Sequence, residues 1–315
     1  MKEIPIGEYI RDHRRRQNMR IEDLAHGICD VSTLSRLERG KQSPSRSKIT
    51  LLLQRLSLPE DQIYALVSAH DLEIRALKRD IRADMIQFER ADKETRPQIR
   101  ERAMKKLKEL ETLAGKDDRT TQQYILSSEV TLGGPQGPYT PAQRQKLLLR
   151  ALRMTVPGFR LDRISQFRYG LEEMTILNMI ARTFSMDGKR EEAIDLYDQL
   201  LQNIEKNNQG LDRYASQFCL IAHNYAINLA RAEQYKDAKE LAERGRSVGI
   251  RYGDYEFLPG FLAIQAECQF YMGDREKSAL LYTQAGYLYD ILADKRNLAL
   301  IRDEMRMHLG VEPPF

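Results

Sequence analysis

Apolar residues recur at i, i+3, i+4 and i+7 in window after window of this chain, and no stretch sustains the strict alternation of a half-buried strand. The pattern predicts helix almost throughout, so the expected fold class is all-α. Breakers fall at Gly40 to Pro44, Pro59, Gly115, Gly133 to Pro141, Pro157-Gly158, Gly188, Gly210, Gly253, Pro259-Gly260 and Gly273. They leave helices of ordinary length joined by short turns. The glycine-rich GGPQGPYTP, residues 133–141, has no strand before it and no Lys-Ser/Thr after it. It therefore reads as a loop rather than a phosphate cradle, with Pro141 opening the next helix.

The first residues group into a small helical unit. In IGEYIRDHRRRQ, Ile6, Ile10 and Arg14 share a face. IEDLAHGI is a short helix with Leu24 and Ala25 inward, ending at Gly27. A third helix runs from Asp30, suited to an N-cap, to about Arg39. Leu34 and Leu37 point inward there, while Val31, Ser32, Ser35 and Arg36 face out. SKITLLLQRLSL supplies further helix over the core. Two helices joined by a tight glycine turn, the second showing small polar and basic side chains, make a helix-turn-helix.

The C-terminal half repeats itself. ILNMIARTFSMDGKREEAIDLYDQLL from Ile176, AHNYAINLARAEQYKDAKELAERG from Ala222 and AIQAECQFYMGDREKSALLYTQA from Ala263 share one plan. A first helix carries a small residue (Ala181, Ala226, and Ala266 or Glu267), a turn follows, and a second helix opens on Ala193, Ala238 or Ser278. Helical hairpins of this kind stack into a solenoid, because one pair cannot bury its own apolar face. Phe184, Tyr197, Tyr235 and Tyr282 are expected to fill between pairs, and the first helices to line a concave groove. The terminal AGYLYDILADKRNLALIRDEMRMHLGV reads as a capping helix or a dimer interface. Between the two regions, residues 67–114 hold two amphipathic segments whose acids and bases interleave at helical spacing, the mark of a solvated face.

Charge sharpens this division. Of 50 Lys/Arg and 46 Asp/Glu, residues 1–58 hold 12 and 7, a net of +5 against −1 for the remainder. A basic small unit on a near-neutral large one points to an anionic partner for the first alone. Hydrophobic residues are 42% and no apolar run is long enough to span a bilayer. The N-terminus MKEIPIGEYIRDHRRR lacks the apolar region of a signal peptide, so a cytoplasmic protein with no membrane partner is expected. Cys29, Cys219 and Cys268 are far apart with no CxxC, which argues against a metal site. They read as buried free thiols, with a redox or intersubunit role as the alternative. There is no nucleophile elbow, Walker loop or HExxH. Glu172-Glu173 and Glu191-Glu192 are adjacent on helices and point apart. No enzyme activity and no cofactor are expected.

The N-terminal residues resemble the Cro/lambda-repressor-like family, also called XRE. Leu24-Ala25, Gly27, Ser35-Arg36-Leu37-Glu38-Arg39-Gly40 and Pro44 fit its pattern. The resemblance implies a structural ion pair of Arg14 and Glu38 between the first and third helices. It implies base reading by Val31, Ser32 and Arg36, with Arg36 placed for a bidentate guanine contact. Thr33, Ser35, Arg39, Lys41 and Arg20 would meet phosphates.

The whole architecture resembles the peptide-responsive regulators of the Rgg and PlcR group in the RRNPP superfamily. GICDVSTLSRLERG is similar to the recognition segment of PlcR-type proteins, and TVPGFRLDRISQFRYGLEEMTILNMIA to the middle of Rgg-type ones. That resemblance implies a short secreted peptide, re-imported and bound on the concave face, with asparagines of the first helices holding its backbone. Asn224 matches that asparagine position best. Asn and Gln side chains satisfy both the N–H and C=O groups of an extended peptide. Asn178 and Arg182, Asn224 and Asn228, and Gln265 and Gln269 stand at i, i+4 on successive first helices. Arg168 and Arg182 are suited to a peptide carboxylate. His223 reads as a structural hydrogen-bonder.

The expectation is thus a lambda-repressor-like helix-turn-helix domain over 1–66 and a TPR-like α-solenoid of helical hairpins over 67–315. It describes a homodimeric transcription regulator that binds a double-stranded DNA operator under control of a short signalling peptide, as in quorum sensing. The alternatives are a ligand-independent dimeric repressor and a repeat scaffold that DNA binding merely localises.

Overall fold

The computed structural model describes residues 6–42, 45–58, 69–115, 117–133, 139–207 and 213–315. Pro44, Pro59, Gly210 and residues 134–138 of the glycine-rich loop lie outside them. Among the described residues the chain is helical with no strand. The helices are α1 (Ile6–Arg16), α2 (Ile21–Ala25), α3 (Val31–Glu38), α4 (Arg46–Arg55), α5 (Ala69–Arg90), α6 (Arg96–Leu113), α7 (Arg119–Gly133) and α8 (Pro141–Arg153). A 3-10 turn at Leu161–Gln166 precedes α9 (Leu171–Met186), α10 (Arg190–Asn207), α11 (Ala215–Arg231), α12 (Tyr235–Tyr252), α13 (Leu258–Tyr271), α14 (Arg275–Ile291) and α15 (Lys295–Leu309). Two compact units result: Met1–Ile81 with Met104–Leu177, and Arg82–Ala103 with Asn178–Phe315.

In the first unit, α1 to α4 close around Ile10, Leu24, Ala25, Leu34, Leu37, Leu52, Leu53 and Leu56, all buried. Gly7 lets α1 approach α3, since a Cβ there would overlap the Leu37 carbonyl. Arg14 and Glu38 pair across the same contact: Nε donates to Oε1 at 2.7 Å and Nη2 to Oε2 at 2.8 Å. Arg14 Nη1 also reaches the Met19 carbonyl at 3.0 Å. Asp30 holds the N-cap position of α3, but its side chain makes no cap bond, so its polarity contributes less than expected. Thr140 caps α8 in a full capping box with Gln143, and Pro141 opens that helix.

This unit is larger than the helix-turn-helix domain. Residues 154–173 pack against α2 and α4. The Arg55 guanidinium donates to the Leu24 carbonyl at 3.2 Å and to the His26 carbonyl. The His26 ring lies tilted against Phe167, with centroids 5.4 Å apart. Gly27, at φ +72, lies so close to Thr155 and Pro157 that a Cβ would overlap them. Arg168 Nη1 donates to Gln17 Oε1 at 2.8 Å, and Gln17 Nε2 to the Leu56 carbonyl at 2.6 Å. Buried Glu173 accepts from the Gly170 N–H at 2.8 Å and from the Thr155 hydroxyl.

The second unit is a stack of hairpins: α9 with α10, α11 with α12, α13 with α14, and α15 as the closing helix. Each turn places one residue in the left-handed region: Gly188 (φ +78), Glu233 (+62), Gly273 (+92) and Ala293 (+52). Fully buried Ala181, Ala193, Ala222, Ala226, Ala238, Ala242 and Ala266 let the helices approach. Ala266, not Glu267, is the inward small residue of α13. Tyr197 and Tyr282 are fully buried as expected. Phe184 is half-buried, and Tyr235 instead stacks on Tyr271 at 4.5 Å near the surface. Asp274 and Asp294 cap α14 and α15 by accepting from the backbone N–H of Lys277 and Asn297. Cys219 and Cys268 are buried free thiols pushed up to about 12 by burial, and Cys29 is free and half-buried.

Two outcomes follow from this packing. Glu38→Ala strands the Arg14 guanidinium with one carbonyl and lowers stability by about 3 kcal/mol, while Arg14→Met with Glu38→Leu restores most of it. Thermal unfolding followed by circular dichroism reads both, and an unchanged midpoint for Glu38→Ala removes the pair from the core. Ala293→Gly relieves a left-handed alanine and adds about 0.5–1 kcal/mol after its entropic cost. Gly273→Ala subtracts about 1 kcal/mol. Urea midpoints at constant slope measure these changes, and equal midpoints for all three proteins would refute the turn argument.

Candidate functional site

The anchoring of α3 decides which of its side chains reach solvent. With Leu34 and Leu37 in the core and Glu38 held by Arg14, the helix can turn only one face outward. That face carries exposed Val31, Ser32 and Arg36, with Thr33 and Ser35 half-buried beside them. Val31 is 39% exposed at the first turn, where an apolar group suits a thymine methyl. Among the described residues the Arg36 guanidinium has one contact, 3.5 Å to Thr33 Oγ1, so its fork is free for an acceptor pair. Arg39 is turned back along the helix, donating to the Ser35 carbonyl at 3.1 Å and to the Ser35 hydroxyl at 2.5 Å. Arg20 lies 3.3 Å from Asp23, an exposed pair of small energetic weight. Gly40, at φ +70, ends α3: its N–H donates to the Leu37 carbonyl and that of Lys41 to the Arg36 carbonyl, both at 2.8 Å. Lys41 therefore leaves the helix exposed. The contacts from residues 154–173 fall on α2, α4 and the end of α1, and the outward face of α3 stays open.

The first helices of the second unit show a different pattern from the expected asparagine and glutamine stripe. Asn224 Nδ2 donates to Asn178 Oδ1 at 2.9 Å and to the Leu220 carbonyl at 3.1 Å. Asn228 Nδ2 donates to the Asn224 carbonyl at 2.8 Å, and its Oδ1 accepts from the Ser185 hydroxyl at 2.7 Å. Asn178, Asn228, Gln265 and Gln269 are all buried. They lie between helices rather than on the groove surface, and the first two tie α9 to α11. Asn224 is half-buried, and among the described residues its Oδ1 has no protein partner. Arg182 is half-buried, with Nη1 3.7 Å from Glu89 Oε1. Arg168 belongs to the first unit, bonded to Gln17.

The left-handed turn residues explain the discrepancy. Counted back from Gly188, Glu233 and Gly273, the pairs beginning at Asn178, Asn224 and Gln265 start ten, nine and eight residues before their turns. Each step of one rotates a side chain by about 100°. The solvent-facing stripe instead holds Thr175, Met179, Arg182 and Met186 on α9, then Leu220, Asn224, Ile227 and Arg231 on α11, and Ala263, Glu267 and Tyr271 on α13. Aligning the repeats on their turns would have found these residues from sequence. His223 packs against Phe257 and Phe261, and burial pushes its imidazole down to about 4. It is neutral and structural. Among the described residues no cluster of His, Cys, Asp and Glu is suited to a metal, and no helix is long and apolar enough to cross a membrane.

The description "Helix-turn-helix domain" matches residues 5–66, and "RNPP family C-terminal domain" matches residues 160–305. No curated protein matches the chain. Among solved structures, Bacillus thuringiensis PlcR in complex with the peptide PapR7 and DNA is similar at a TM-score of 0.61 and 17% identity, over 94% of this chain and 98% of that one. The apo form of PlcR from the same organism gives 0.57 and 17%, over 95% and 98%. ComR from S. thermophilus, in complex with DNA and its signalling peptide ComS, gives 0.54 and 13%, over 97% and 100%. At such identities the likeness is one of fold. A helix-turn-helix domain at one end and an RNPP family C-terminal domain over the repeats together place this chain among the helix-turn-helix proteins of RNPP type.

Proposed function

We propose that the protein is a cytoplasmic, homodimeric transcription regulator whose helix-turn-helix reads an operator and whose repeats bind a short signalling peptide. The observation that carries this reading is the union, in one chain, of an open α3 face and a mixed first-helix stripe. The α3 face offers Val31, Ser32 and Arg36 for base edges, with Thr33, Ser35, Arg39, Lys41 and Arg20 for the phosphate backbone. The stripe offers apolar Met179, Met186, Leu220, Ile227 and Tyr271 for peptide side chains, and the unpartnered Asn224 Oδ1 for a peptide N–H. Asn178 and Asn228 then act beneath the groove, tying α9 to α11, while Gln265 and Gln269 are buried within α13. PlcR and ComR, of the same fold, were each seen with DNA and a peptide. Leu280, Tyr287, Ile291, Leu300 and Met307 are exposed on α14 and α15 and suit a second copy of the chain. Peptide binding would favour one arrangement of the paired DNA-binding heads over another. With no catalytic constellation at either surface, no enzymatic step is assigned.

An operator selected from random DNA provides the test of the first half. Arg36→Ala should weaken binding by roughly 10- to 100-fold and relax one base pair. Lys41→Ala should weaken binding to all sequences and reduce the salt slope by about 1. Undiminished affinity for Arg36→Ala would remove α3 as the reading helix. For the second half, Asn224→Ala should abolish the peptide response while native mass spectrometry still finds the dimer. A full response from that variant assigns the peptide elsewhere, and a wild-type dimer that gains no peptide mass from spent growth medium leaves a ligand-independent repressor.

A further inference from the structure

Residues 82–103, which are the end of α5, the turn after it and the start of α6, belong to the second unit and not to the first. They touch the row of first helices at both of its ends. Glu89 Oε1 lies 3.7 Å from Arg182 Nη1 on α9, and Asp92 Oδ2 lies 3.4 Å from Lys295 Nζ at the start of α15. Glu89 and Asp92 are three positions apart, so their backbones stand at most about 11 Å from each other. A segment that short, reaching α9 on one side and the closing helix on the other, lies across the row that presents the solvent-facing stripe. Arg182 belongs to that stripe, between Met179 and Met186.

The turn is firmly built within itself and lightly fastened to the solenoid. Asp92 Oδ1 accepts from the Thr95 N–H at 2.9 Å and from the Thr95 hydroxyl at 2.8 Å. Arg96 closes the other side: Nε donates to the Phe88 carbonyl at 3.0 Å, Nη2 to the Glu89 carbonyl at 3.2 Å, and the guanidinium lies over the Phe88 ring. Arg102 ties α6 back to α5, with Nε donating to Asp84 Oδ1 at 2.9 Å and Nη2 to Gln87 Oε1 at 2.7 Å. Ile86, Ala91 and Ile99 at the tip are only half-buried. Both ion pairs to the solenoid are partly exposed, and the one between Glu89 and Arg182 is too long for a hydrogen bond. Exposed pairs of this kind bias an equilibrium by no more than about fivefold. Among the described residues Arg182 has no other ion-pair partner.

We propose that the α5–α6 turn is a lid over the groove, latched by Glu89 on Arg182 and by Asp92 on Lys295, and that a carboxylate of the ligand replaces Glu89 on Arg182. The proposal rests on the peptide-binding reading and adds the segment that the ligand has to move. A ligand carboxylate can accept two N–H donors from the Arg182 fork, which Glu89 at 3.7 Å does not. The exchange puts a bidentate pair in place of a loose one and leaves Lys295 as the remaining latch. The bonds of Asp92, Arg96 and Arg102 all lie within residues 84–102, so they survive the exchange and the turn swings as one piece.

The test uses the full chain, immobilised, and two octapeptide libraries. One is of random sequence with free C-termini; the other lacks Asp and Glu and is amidated, so it carries no carboxylate. Retained peptide is counted by mass spectrometry. Lys295→Gln only loosens the lid and should raise retention of both libraries about twofold to fivefold, while Lys295→Arg keeps the latch and should match the wild type. Glu89→Gln also frees Arg182 and should raise the first library by more than the second. In an Arg182→Gln background Glu89→Gln should change neither. A gain in retention cannot come from impaired folding, and the two latches are tested by separate substitutions. Retention by the wild type that neither Lys295→Gln nor Glu89→Gln raises overturns the proposal and leaves the peptide reading standing. Retention of neither library by the wild type or by any variant overturns the peptide reading and the proposal with it.

Discussion

The register of the repeat region depends on one backbone conformation, the left-handed residue that follows a helix. A residue in the left-handed region at Gly188, Glu233, Gly273 and Ala293 reverses the chain between antiparallel helices. Glycine accepts that conformation freely, whereas Glu233 and Ala293 adopt it against a steric cost. The stack repays the cost by burying alanines between the helices. Once the turn is fixed, every position on the preceding helix is fixed with it, because each residue advances the face by about 100°. The side chains presented to a ligand are therefore set by distance from the turn.

A comparable constraint governs the helix-turn-helix end. The bidentate Arg14–Glu38 pair lies between α1 and α3 and cannot be satisfied in another register. It does little for net stability compared with an apolar pair of the same shape, since both ions lose their water. What it does is fix the rotation of α3, so that Val31, Ser32 and Arg36 face outward. The seat formed by residues 154–173 works on the opposite side. Arg168 donates to Gln17 there, and Gly27 is needed for the close approach to Thr155 and Pro157. The helix-turn-helix is thus a packed part of a larger unit, with the outward face of α3 left open.

Buried polar groups in the solenoid fall into two kinds. Asn178 and Asn228 are satisfied and bind α9 to α11. The buried Tyr197 hydroxyl, by contrast, has no hydrogen-bond partner among the described residues. Satisfied polar networks rigidify a core, while unsatisfied ones mark places where a missing partner would restore the balance.

Much of this protein was legible in its sequence. Helical periodicity, the turn residues, the helix-turn-helix and the positions of Arg14, Glu38 and Arg36 follow from local rules, because each depends on residues a few positions apart. The alanines of the hairpins were legible for the same reason, and Ala266 needed only the choice over Glu267. Spacing of i, i+4 could say that Asn178 and Arg182, or Gln265 and Gln269, share a face. It could not say which way that face turns. The tertiary structure decided that, by stacking helices so that Asn178, Asn228, Gln265 and Gln269 lie between them while Asn224, Arg182, Arg231 and Glu267 look out. It also decided the seating of residues 154–173 on α2 and α4, since contacts between Gln17 and Arg168 join segments that no periodicity relates. Short-range order was written in the pattern of side chains, and the direction each face turned was settled by packing between distant segments.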